Sequence, residues 1–459
     1  MYQRLLKLPK TSVQLDAEKR AGPLELWRHT IGHGGINSLP LPDGVIKAAR
    51  KLKPRLIRTF LQEFLEFYPE HGRFDWSRAD AYLESLRRTG AEIVASVCFK
   101  PKPLFPQVDP RIWQPNNVAE WQSVIRELVR RYSIDRKWIT YWEIGNETDI
   151  GENGGCPYLI PDAKQFLEYY RITIEPIEQL FPEGRIGGPG AAFSDGDFFR
   201  EFIRLCFASG TRLDFVSWHQ YYDDPETHRS LIRDVNELLT VFGKRPETMI
   251  TEWNKYFDPV SVEELAHMPR RAAAVAACVI AMQRVKPDWT FYYHVWDQFP
   301  IPAEFSSFFK DYEIMHVHWN DIPHRFGLFG VSGEVRPQYF VYWMLNRMDG
   351  DEIIAECPDP DLWICSSAAE DRWCVLISNY RTEGGEDKLV ELRFANLPSV
   401  TMEWTVYRID EARRWSDERL EMTPTERRKI HPNESGSFHP IVYCPADSVT
   451  MAMLYSQKG

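Results

Sequence analysis

Two glutamates follow apolar runs that end abruptly in polar residues. Glu147 lies in YWEIGNETD (141–149), where the run gives way to Gly-Asn-Glu, and Glu252 lies in MITEWN (249–254). Two carboxylates in one pocket can cleave a glycosidic bond with retention, because one attacks the sugar while the other protonates the leaving group and then activates water. Each glutamate alone could equally be a solvated loop residue. The chemistry therefore depends on a fold that brings the two together.

Eight short β-type runs alternate with helical patterns along most of the chain, and this alternation predicts a (β/α)8 TIM barrel of parallel strands. The predicted strands span residues 24–31, 55–60, 91–99, 139–144, 185–189, 213–219, 248–253 and 290–295. Catalytic residues of such barrels come from the C-terminal strand ends, where the loops converge. Glu147 follows the fourth predicted strand and Glu252 ends the seventh. We therefore expect both carboxylates to face one pocket.

The sequence pattern changes near Asp351. Segments such as RWCVLISNY, KLVELRFANL and ADSVTMAMLY alternate with a short period and are separated by turn residues, which is typical of an antiparallel β-sandwich. The first residues contain RLLKLP and SVQL and are expected to add a strand to this smaller domain. The predicted domains are therefore an N-terminal segment of the sandwich (1–22), the catalytic barrel (23–350) and the C-terminal β-sandwich (351–459).

Composition limits the partners of the protein. The 459-residue chain has a formal net charge of -11 with both signs interspersed, which argues against a nucleic acid or an anionic membrane as partner. The substrate is therefore expected to be neutral or small, and homo-oligomerisation is left open. No apolar run is long enough to cross a membrane, and the N-terminus lacks a signal-peptide pattern. A cytoplasmic location is expected, although a chain whose leader had been removed would look the same.

Three segments carry a resemblance to a known family: WEIGNETD, DFVSWHQYY (214–222) and ITEWN. With them the sequence resembles the glycoside hydrolases of clan A, and within that clan family 39, which includes β-xylosidases and α-L-iduronidase. The resemblance covers nearly the whole chain. It implies that Glu147 is the acid/base and Glu252 the nucleophile of a double displacement that needs no cofactor and no metal. The negative charge of Glu252 is expected to raise the pKa of Glu147.

The resemblance also implies a set of sugar-binding residues. Asn146 is expected to bond the 2-hydroxyl group, and His219 and Tyr221 are expected to approach the nucleophile and the sugar. Tyr293, in FYYHVWD, takes the position of an aromatic platform, with Trp296 as a nearby candidate. His219 could instead be a core histidine whose ring is satisfied by the backbone.

Five further residues have a functional and a structural interpretation. In the functional interpretation, His33 in GHGG (32–35) binds a sugar hydroxyl and Arg58 orders the two glutamates. Phe99 and Lys100 form walls of the sugar site, and Glu304 is an acidic sugar ligand. The structural alternatives are a glycine-rich turn with an exposed histidine for His33, an interior salt bridge for Arg58 and a stiff proline-rich loop for Phe99 and Lys100. Around Glu304 the flanking residues PIPAEFSSF depart from the usual family pattern. HVHWNDIPH (316–324) offers three histidines, but no carboxylate pattern completes a metal site there.

The expected function is that of a retaining, exo-acting β-glycosidase, similar to a β-xylosidase, that cleaves oligosaccharides. Endo action, or activity on galactosides, arabinosides or uronides, remains open on the same fold. Lys100 and Lys255 are basic residues that keep a uronide substrate among these alternatives. A further alternative is a non-catalytic carbohydrate-binding protein. The presence of both Glu147 and Glu252 argues against it.

Overall fold

The computed structural model of the protein describes residues 8–255, 268–319, 326–413 and 420–456, without the side chains of 317–319. Within these ranges the chain forms a closed barrel of eight strands and a separate sheet of nine strands. The first strand of the chain, β1 (Lys10–Pro23), belongs to the sheet, and the barrel strands follow it.

The barrel consists of eight parallel strands in sequential order, and its last strand pairs with its first. The strands are β2 (His29–Gly32), β3 (Leu56–Leu61), β4 (Glu92–Val97), β5 (Ile139–Ile144), β6 (Arg185–Ala191), β7 (Phe215–Tyr221), β8 (Glu247–Asn254) and β9 (Trp289–Tyr293). All eight predicted strands are confirmed. The first begins later than predicted, because a single 3-10 turn occupies Leu26–Arg28.

The barrel strands read as apolar runs because helices cover their outer faces. β3, for example, is buried at all six positions of LIRTFL, so the charged Arg58 within it must find partners inside the barrel. The helices are α1 (Asp43–Lys51), α2 (Ser77–Arg87), α3 (Val118–Val129), α4 (Ala163–Leu180), α5 (Asp197–Ser209), α6 (Pro225–Val241), α7 (Met268–Gln283), α8 (Pro302–Phe305), α9 (Glu313–Trp319) and α10 (Pro337–Leu345).

The remaining strands form one hydrogen-bonded sheet in the order β15-β14-β17-β12-β11-β10-β1-β13-β16. They are β10 (Asp351–Glu356), β11 (Leu362–Ala368), β12 (Arg372–Asn379), β13 (Lys388–Ala395), β14 (Met402–Ile409), β15 (Glu426–Ile430), β16 (Ile441–Cys444) and β17 (Ser448–Ser456). Among the described pairs, β1 with β13 is parallel and the others are antiparallel. Apolar residues from all nine strands form one cluster, so the sheet curls around its own core.

The curled sheet is the antiparallel-rich smaller domain that the sequence predicts, although its strands form one continuous sheet. Phe438 contacts Phe394 of β13 and Trp404 of β14, at ring-centroid distances of 6.5 and 5.4 Å, and thereby joins its two halves. The N-terminal strand β1 pairs with β10 and β13. The domain boundaries at 22/23 and 350/351 stay predictions.

Helix α7 connects the two parts of the molecule. Nearly every residue of its sequence MPRRAAAVAACVIAMQ is buried, as expected for a helix that is apolar all round. It packs between the barrel and strands of the sheet, and the Ser378 hydroxyl donates to the Ala273 carbonyl at 2.7 Å. The barrel therefore has the sheet as a fixed neighbour on this side.

The cysteines and the helices each allow one further statement about the described residues. All eight cysteines lie in the described ranges, none forms a disulfide, and seven of them are buried. Among the helices of the described ranges, none combines the length and the apolarity needed to cross a membrane.

Candidate active site

Glu147 is placed by a turn at the C-terminal end of β5. Gly145 and Glu147 both have left-handed backbone angles, with φ of 92° and 46°. A Cβ atom at position 145 would lie 2.9 Å from the Pro189 carbonyl oxygen, so this position requires glycine. The backbone N–H of Glu147 donates to the Gly190 carbonyl at 2.7 Å and fixes the turn to the next strand. This turn explains the abrupt change from an apolar run to Gly-Asn-Glu.

The fold brings Glu147, His219 and Glu252 together at one end of the barrel. One carboxylate oxygen of each glutamate and one ring nitrogen of the histidine all lie within 4.8 Å of one another. His219 Nδ1 is 2.6 Å from Glu147 Oε1 and 3.6 Å from Glu252 Oε2. Two carboxyl groups about 5 Å apart suit direct attack on a sugar, whereas inverting enzymes separate theirs by roughly 6.5 to 9.5 Å to admit a water.

Glu252 is bonded by strong donors on both of its oxygens. Arg58 Nη1 donates to Oε1 at 2.5 Å, and the Tyr221 hydroxyl donates to Oε2 at 2.6 Å. The Glu252 side chain is 8% exposed. A guanidinium and a phenol on the same carboxylate stabilise its charged form, which is the form that can act as a nucleophile.

Glu147 has a different environment, although its side chain is also only 12% exposed. Burial raises the pKa of Glu147 to about 8, and the charge of Arg58 acts in the opposite direction. The pKa is therefore raised as expected, and its largest cause is removal from water. The contribution expected from the charge of Glu252 stays a prediction. A carboxyl group with such a pKa is mostly protonated at neutral pH and can serve as a general acid.

Arg58 is the centre of a buried polar network. Its Nε and Nη2 donate to Glu143 Oε2 at 2.9 and 2.7 Å, and Nη2 also donates to Asn146 Oδ1 at 2.7 Å. Burial lowers the pKa of Arg58, but the carboxylates of Glu143 and Glu252 outweigh this effect and raise it above the ordinary value. The structure thus combines the two interpretations of Arg58, since it forms an interior salt bridge and also holds a candidate catalytic glutamate.

Asn146 lies next to Glu147 and is almost completely buried. Its side-chain oxygen accepts from Arg58, and its Nδ2 donates to the Gly154 carbonyl at 3.0 Å. The amide nitrogen carries a second hydrogen that can reach a ligand. Its contact with a sugar 2-hydroxyl stays a prediction.

The aromatic candidates Tyr293 and Trp296 lie at the end of β9. The Tyr293 hydroxyl donates to the Gly34 carbonyl at 2.8 Å, and Trp296 Nε1 donates to the Val331 carbonyl at 3.2 Å. Both residues are nearly buried: Tyr293 is 4% exposed and Trp296 is 8% exposed. Their roles as a sugar platform stay predictions.

His33 belongs to the same group of rings. Its ring stacks on His294 at 5.8 Å and on Trp296 at 6.2 Å between centroids. Among the described residues, neither ring nitrogen of His33 has a hydrogen-bond partner, and the residue is fully buried. The alternative of an exposed histidine in a glycine-rich turn is therefore wrong, while its role as a sugar ligand stays a prediction.

Phe99 and Lys100 have partners inside the protein, and their predicted role as walls of the sugar site stays a prediction. The Phe99 ring is fully buried in the core, where it contacts Phe67 and Trp121 at centroid distances of 4.6 and 4.9 Å. The Lys100 ammonium donates to the Asp109 carbonyl at 2.5 Å, and burial lowers the pKa of Lys100 to about 8. Both side chains turn into the protein because core packing and loop carbonyls offer them partners that the local sequence does not reveal.

Glu304 lies in the short helix α8, and its side chain is bonded to Ser38. Its Oε1 accepts from the Ser38 hydroxyl at 2.5 Å and its Oε2 from the Ser38 backbone N–H at 3.0 Å. Glu304 therefore joins the loop after β9 to the loop after β2. Its predicted role as a sugar ligand stays a prediction.

The residues most able to hold a metal are the same Glu147, His219 and Glu252, since each offers one ligand atom within the 4.8 Å group. Arg58 already places a positive charge 2.5 Å from Glu252, which disfavours a second cation there. In the histidine-rich stretch only the His316 side chain is described; the His318 side chain and the whole of His324 lie outside the described residues.

Sequence reasoning missed Glu143 and Asp149. Glu143 is a fully buried carboxylate in β5 that pairs with Arg58. A glutamate within the apolar run ITYWEI and an arginine within LIRTF are each costly inside a barrel, so their joint occurrence was the available signal. Asp149 accepts from the Ala192 backbone N–H at 3.2 Å and ties the loop after β5 to the loop after β6. No pattern in the sequence indicates that contact.

Known proteins are similar to this chain in sequence and in fold. The family model of glycosyl hydrolases family 39 matches residues 11–382. A β-xylosidase from Caldicellulosiruptor saccharolyticus is 22% identical over 334 residues, which cover 67% of this chain and 64% of that relative. The matched region thus spans less than two thirds of that relative.

Two solved structures are similar over nearly their full length. The GH39 enzyme from Xanthomonas axonopodis pv. citri is 18% identical with a TM-score of 0.77, and 97% of each chain is covered. A monomeric β-xylosidase from Caulobacter crescentus CB15 is 18% identical with a TM-score of 0.73, covering 97% of this chain and 99% of that one. At these identities the similarities establish the fold. Because the family model matches most of the chain, the protein belongs to glycosyl hydrolases family 39, a family of glycosidases.

Proposed function

We propose that the protein is a retaining, exo-acting β-glycosidase of the β-xylosidase type that cleaves oligosaccharides by double displacement. The observation that carries this proposal is the close approach of two carboxylates with opposite environments. Glu252 is bonded by Arg58 and Tyr221, and Glu147 is buried with a raised pKa. The first arrangement suits a nucleophile and the second suits an acid.

In the first step Glu252 attacks the anomeric carbon, and Glu147 protonates the departing oxygen. When His219 carries its hydrogen on Nδ1, it donates to Glu147 Oε1, so Oε2 can carry the proton that is transferred. Glu147 is ionised once it has given its proton to the leaving group. It can then take a proton from the water that attacks the glycosyl-enzyme and releases Glu252. Neither step requires a cofactor.

Exo action is supported by contacts between loops around the barrel end. Glu152, in the loop after β5, accepts from the backbone N–H groups of Lys310 and Asp311 at 2.6 and 3.0 Å. On another side, Glu304 joins Ser38. Loops that are tied together in this way favour a pocket for a chain end over an open cleft that a polysaccharide could cross.

A neutral sugar is supported by the partners of the basic residues. Arg58 is shared among Glu143, Asn146 and Glu252, and Lys100 donates to loop carbonyls. Lys255 lies 3.8 Å from Asp223. Because each of these three cations already has anionic or carbonyl partners, a uronide carboxylate has less to gain here than a neutral ring.

The experiment that tests the proposed function is a panel of 4-nitrophenyl glycosides, with xylo-oligosaccharide digests alongside. The β-D-xyloside is expected to give the highest kcat/KM, and the digests should release xylose from chain ends. NMR of the first product should detect the β-anomer. A first product of α configuration, or random shortening of the oligosaccharides, would contradict the proposal.

A further inference from the structure

The loop after β5 forms a strap, residues 151–156, that lies against the proposed acid/base. Gly154 is so close to Glu147 that a Cβ atom at position 154 would lie 2.0 Å from Oε2 and 2.5 Å from Cβ of the glutamate. Contacts below 3.0 Å cannot be accommodated unless something moves, and the Cβ of Glu147 is fixed to the backbone. Only glycine therefore leaves the Glu147 side chain where it is.

The strap is held in place from three directions. The Gly154 carbonyl accepts from Asn146 Nδ2 at 3.0 Å, and the Gly155 carbonyl accepts from Gln62 Nε2 at 2.9 Å. Glu152 reaches the loop after β9 through its two bonds to backbone N–H groups. A short glycine-rich segment would be mobile without such bonds, so these contacts convert it into a fixed wall.

The strap lies next to one of the two carboxyl oxygens of Glu147 and not next to the other. Glu147 Oε1 faces His219 Nδ1 at 2.6 Å, whereas Oε2 faces Gly154. In the proposed function Oε2 carries the proton for the leaving group. The orientation of the Glu147 carboxyl group is thus restricted by the His219 imidazole at Oε1 and by the Gly154 backbone next to Oε2.

We propose that the strap is a positioning element for the leaving-group side of the reaction, in which Gly154 sets the orientation of the acid/base carboxyl and Glu152 fixes the strap across the barrel end. This inference rests on the proposed function. A misplacement of about 1 Å can cost roughly 100-fold in rate, so a single methyl group at position 154 should be enough to weaken proton transfer.

The test compares Gly154→Ala with the wild type on two substrates of the same sugar. Methyl β-D-xyloside needs a proton on its leaving group, and 2,4-dinitrophenyl β-D-xyloside does not. The parameter is kcat/KM, which reports the first step. Gly154→Ala is expected to lose about 100-fold on the methyl glycoside and less than about 5-fold on the dinitrophenyl glycoside, since general acid assistance normally supplies 100- to 10,000-fold.

Gly196→Ala is the matched control. Gly196 lies in the loop after the next strand, and a Cβ atom there would meet nothing closer than 3.9 Å. This variant should keep both activities. Glu152→Gln is a second variant, and it introduces no steric clash with Glu147. One of the two acceptor oxygens of Glu152 is replaced by an N–H₂ group, which cannot accept from the backbone N–H that it faces. It should show the same selective loss, of about 10-fold, with no change in thermal midpoint large enough to indicate unfolding.

Equal losses on both substrates in both variants would overturn the inference, because the strap would then be a general structural element. Unchanged activity on the methyl glycoside in Gly154→Ala would also overturn it. The proposed function fails separately: in that case the wild type would cleave no glycoside, or Glu147→Ala would show no dependence on the leaving group. The strap inference alone would fail if Glu147→Ala showed the expected dependence on the leaving group while Gly154→Ala lost equal activity on both substrates.

Discussion

The two walls of the candidate site contain the same residue type in opposite surroundings. On the Glu252 wall, at the end of β8, Glu252 has a guanidinium from β3 and a phenol from β7 as donors. On the wall formed by β5 and its loop, Glu147 has His219 as its hydrogen-bond partner among the described side chains and lies against Gly154. Both carboxyl groups are nearly buried.

Burial therefore does not decide the role of a carboxyl group by itself. Burial with charged donors stabilises the carboxylate, whereas burial without them stabilises the acid. In the proposed function this difference favours Glu252 for attack and Glu147 for proton transfer, and each role can be tested by a separate substitution.

The largest effect is expected for Glu252→Gln. An amide cannot form the glycosyl-enzyme, and no other carboxylate in the described site has the same donors, so kcat/KM should fall more than about 10,000-fold on every substrate. The decrease is measured with the best aryl glycoside of the panel. Activity above about one part in a hundred would remove Glu252 from the nucleophile role.

The next effect is expected for Glu147→Ala, and it depends on the leaving group. Substrates with poor leaving groups should lose about 100- to 10,000-fold in kcat/KM, whereas activated aryl glycosides keep their first step because the phenolate departs unaided. The second step then limits the rate. Added azide should restore turnover, since a small anion can occupy the space of the missing carboxyl and needs no base.

The product of the azide reaction tests both walls together. Attack on the glycosyl-enzyme from the face opposite Glu252 converts a β-linked substrate into the β-glycosyl azide, which NMR can identify. An α-glycosyl azide would mean inversion, and the pairing of Glu147 with Glu252 would have to be abandoned. Equal loss of good and poor leaving groups would exclude Glu147 as the acid/base.

Arg58→Met should affect stability as well as activity. It leaves Glu143 and Glu252 without their guanidinium in a nearly water-free site, and breaking such a buried pair costs about 3 to 5 kcal/mol in the free energy of unfolding. Urea titration measures this change. The double variant Arg58→Met with Glu143→Met should recover much of the stability but not the activity, because Glu252 still lacks its donor.

A surface pair provides the control for that experiment. Arg204 and Glu201 form an exposed pair, with side chains 50% and 38% exposed. Arg204→Met should change the free energy of unfolding by less than about 1 kcal/mol. A similar loss in Arg204→Met and Arg58→Met would contradict the special importance of the buried network.

The sequence predicts most of the barrel and the pair of glutamates, for physical reasons. Parallel barrel strands are buried on both faces and appear as continuous apolar runs, so all eight could be located. Glu147 and Glu252 end such runs, and strand ends meet at one side of a barrel. The pairing of β1 with β13, 379 residues apart at Ser12 and Glu391, is a long-range contact that local pattern cannot specify.

The remaining site residues depend on side-chain direction, which a loop sequence does not encode. The Lys100 ammonium, for example, donates to the backbone carbonyls of residues 109 and 157, and the sequence around Lys100 does not indicate these partners. The contact of Gly154 with Glu147 likewise requires a loop conformation fixed by Gln62 and by Glu152. Such positions are predicted only after the partners from other loops are known.

The smallest effect, and the most direct measure of the difference between the walls, is the pH dependence of kcat/KM. Burial raises the pKa of Glu147 from its ordinary value of 4.5 to about 8. Because the protonated form is the acid, activity on a methyl glycoside should persist up to about pH 8 and then fall about tenfold for each further pH unit. The 2,4-dinitrophenyl glycoside needs no proton, so its profile should lack this alkaline decrease. A decrease that begins near pH 5 with the methyl glycoside would mean that Glu147 ionises as readily as a solvated glutamate. The Glu147 wall would then not hold the carboxyl group in its protonated form, and the acid would have to be sought elsewhere.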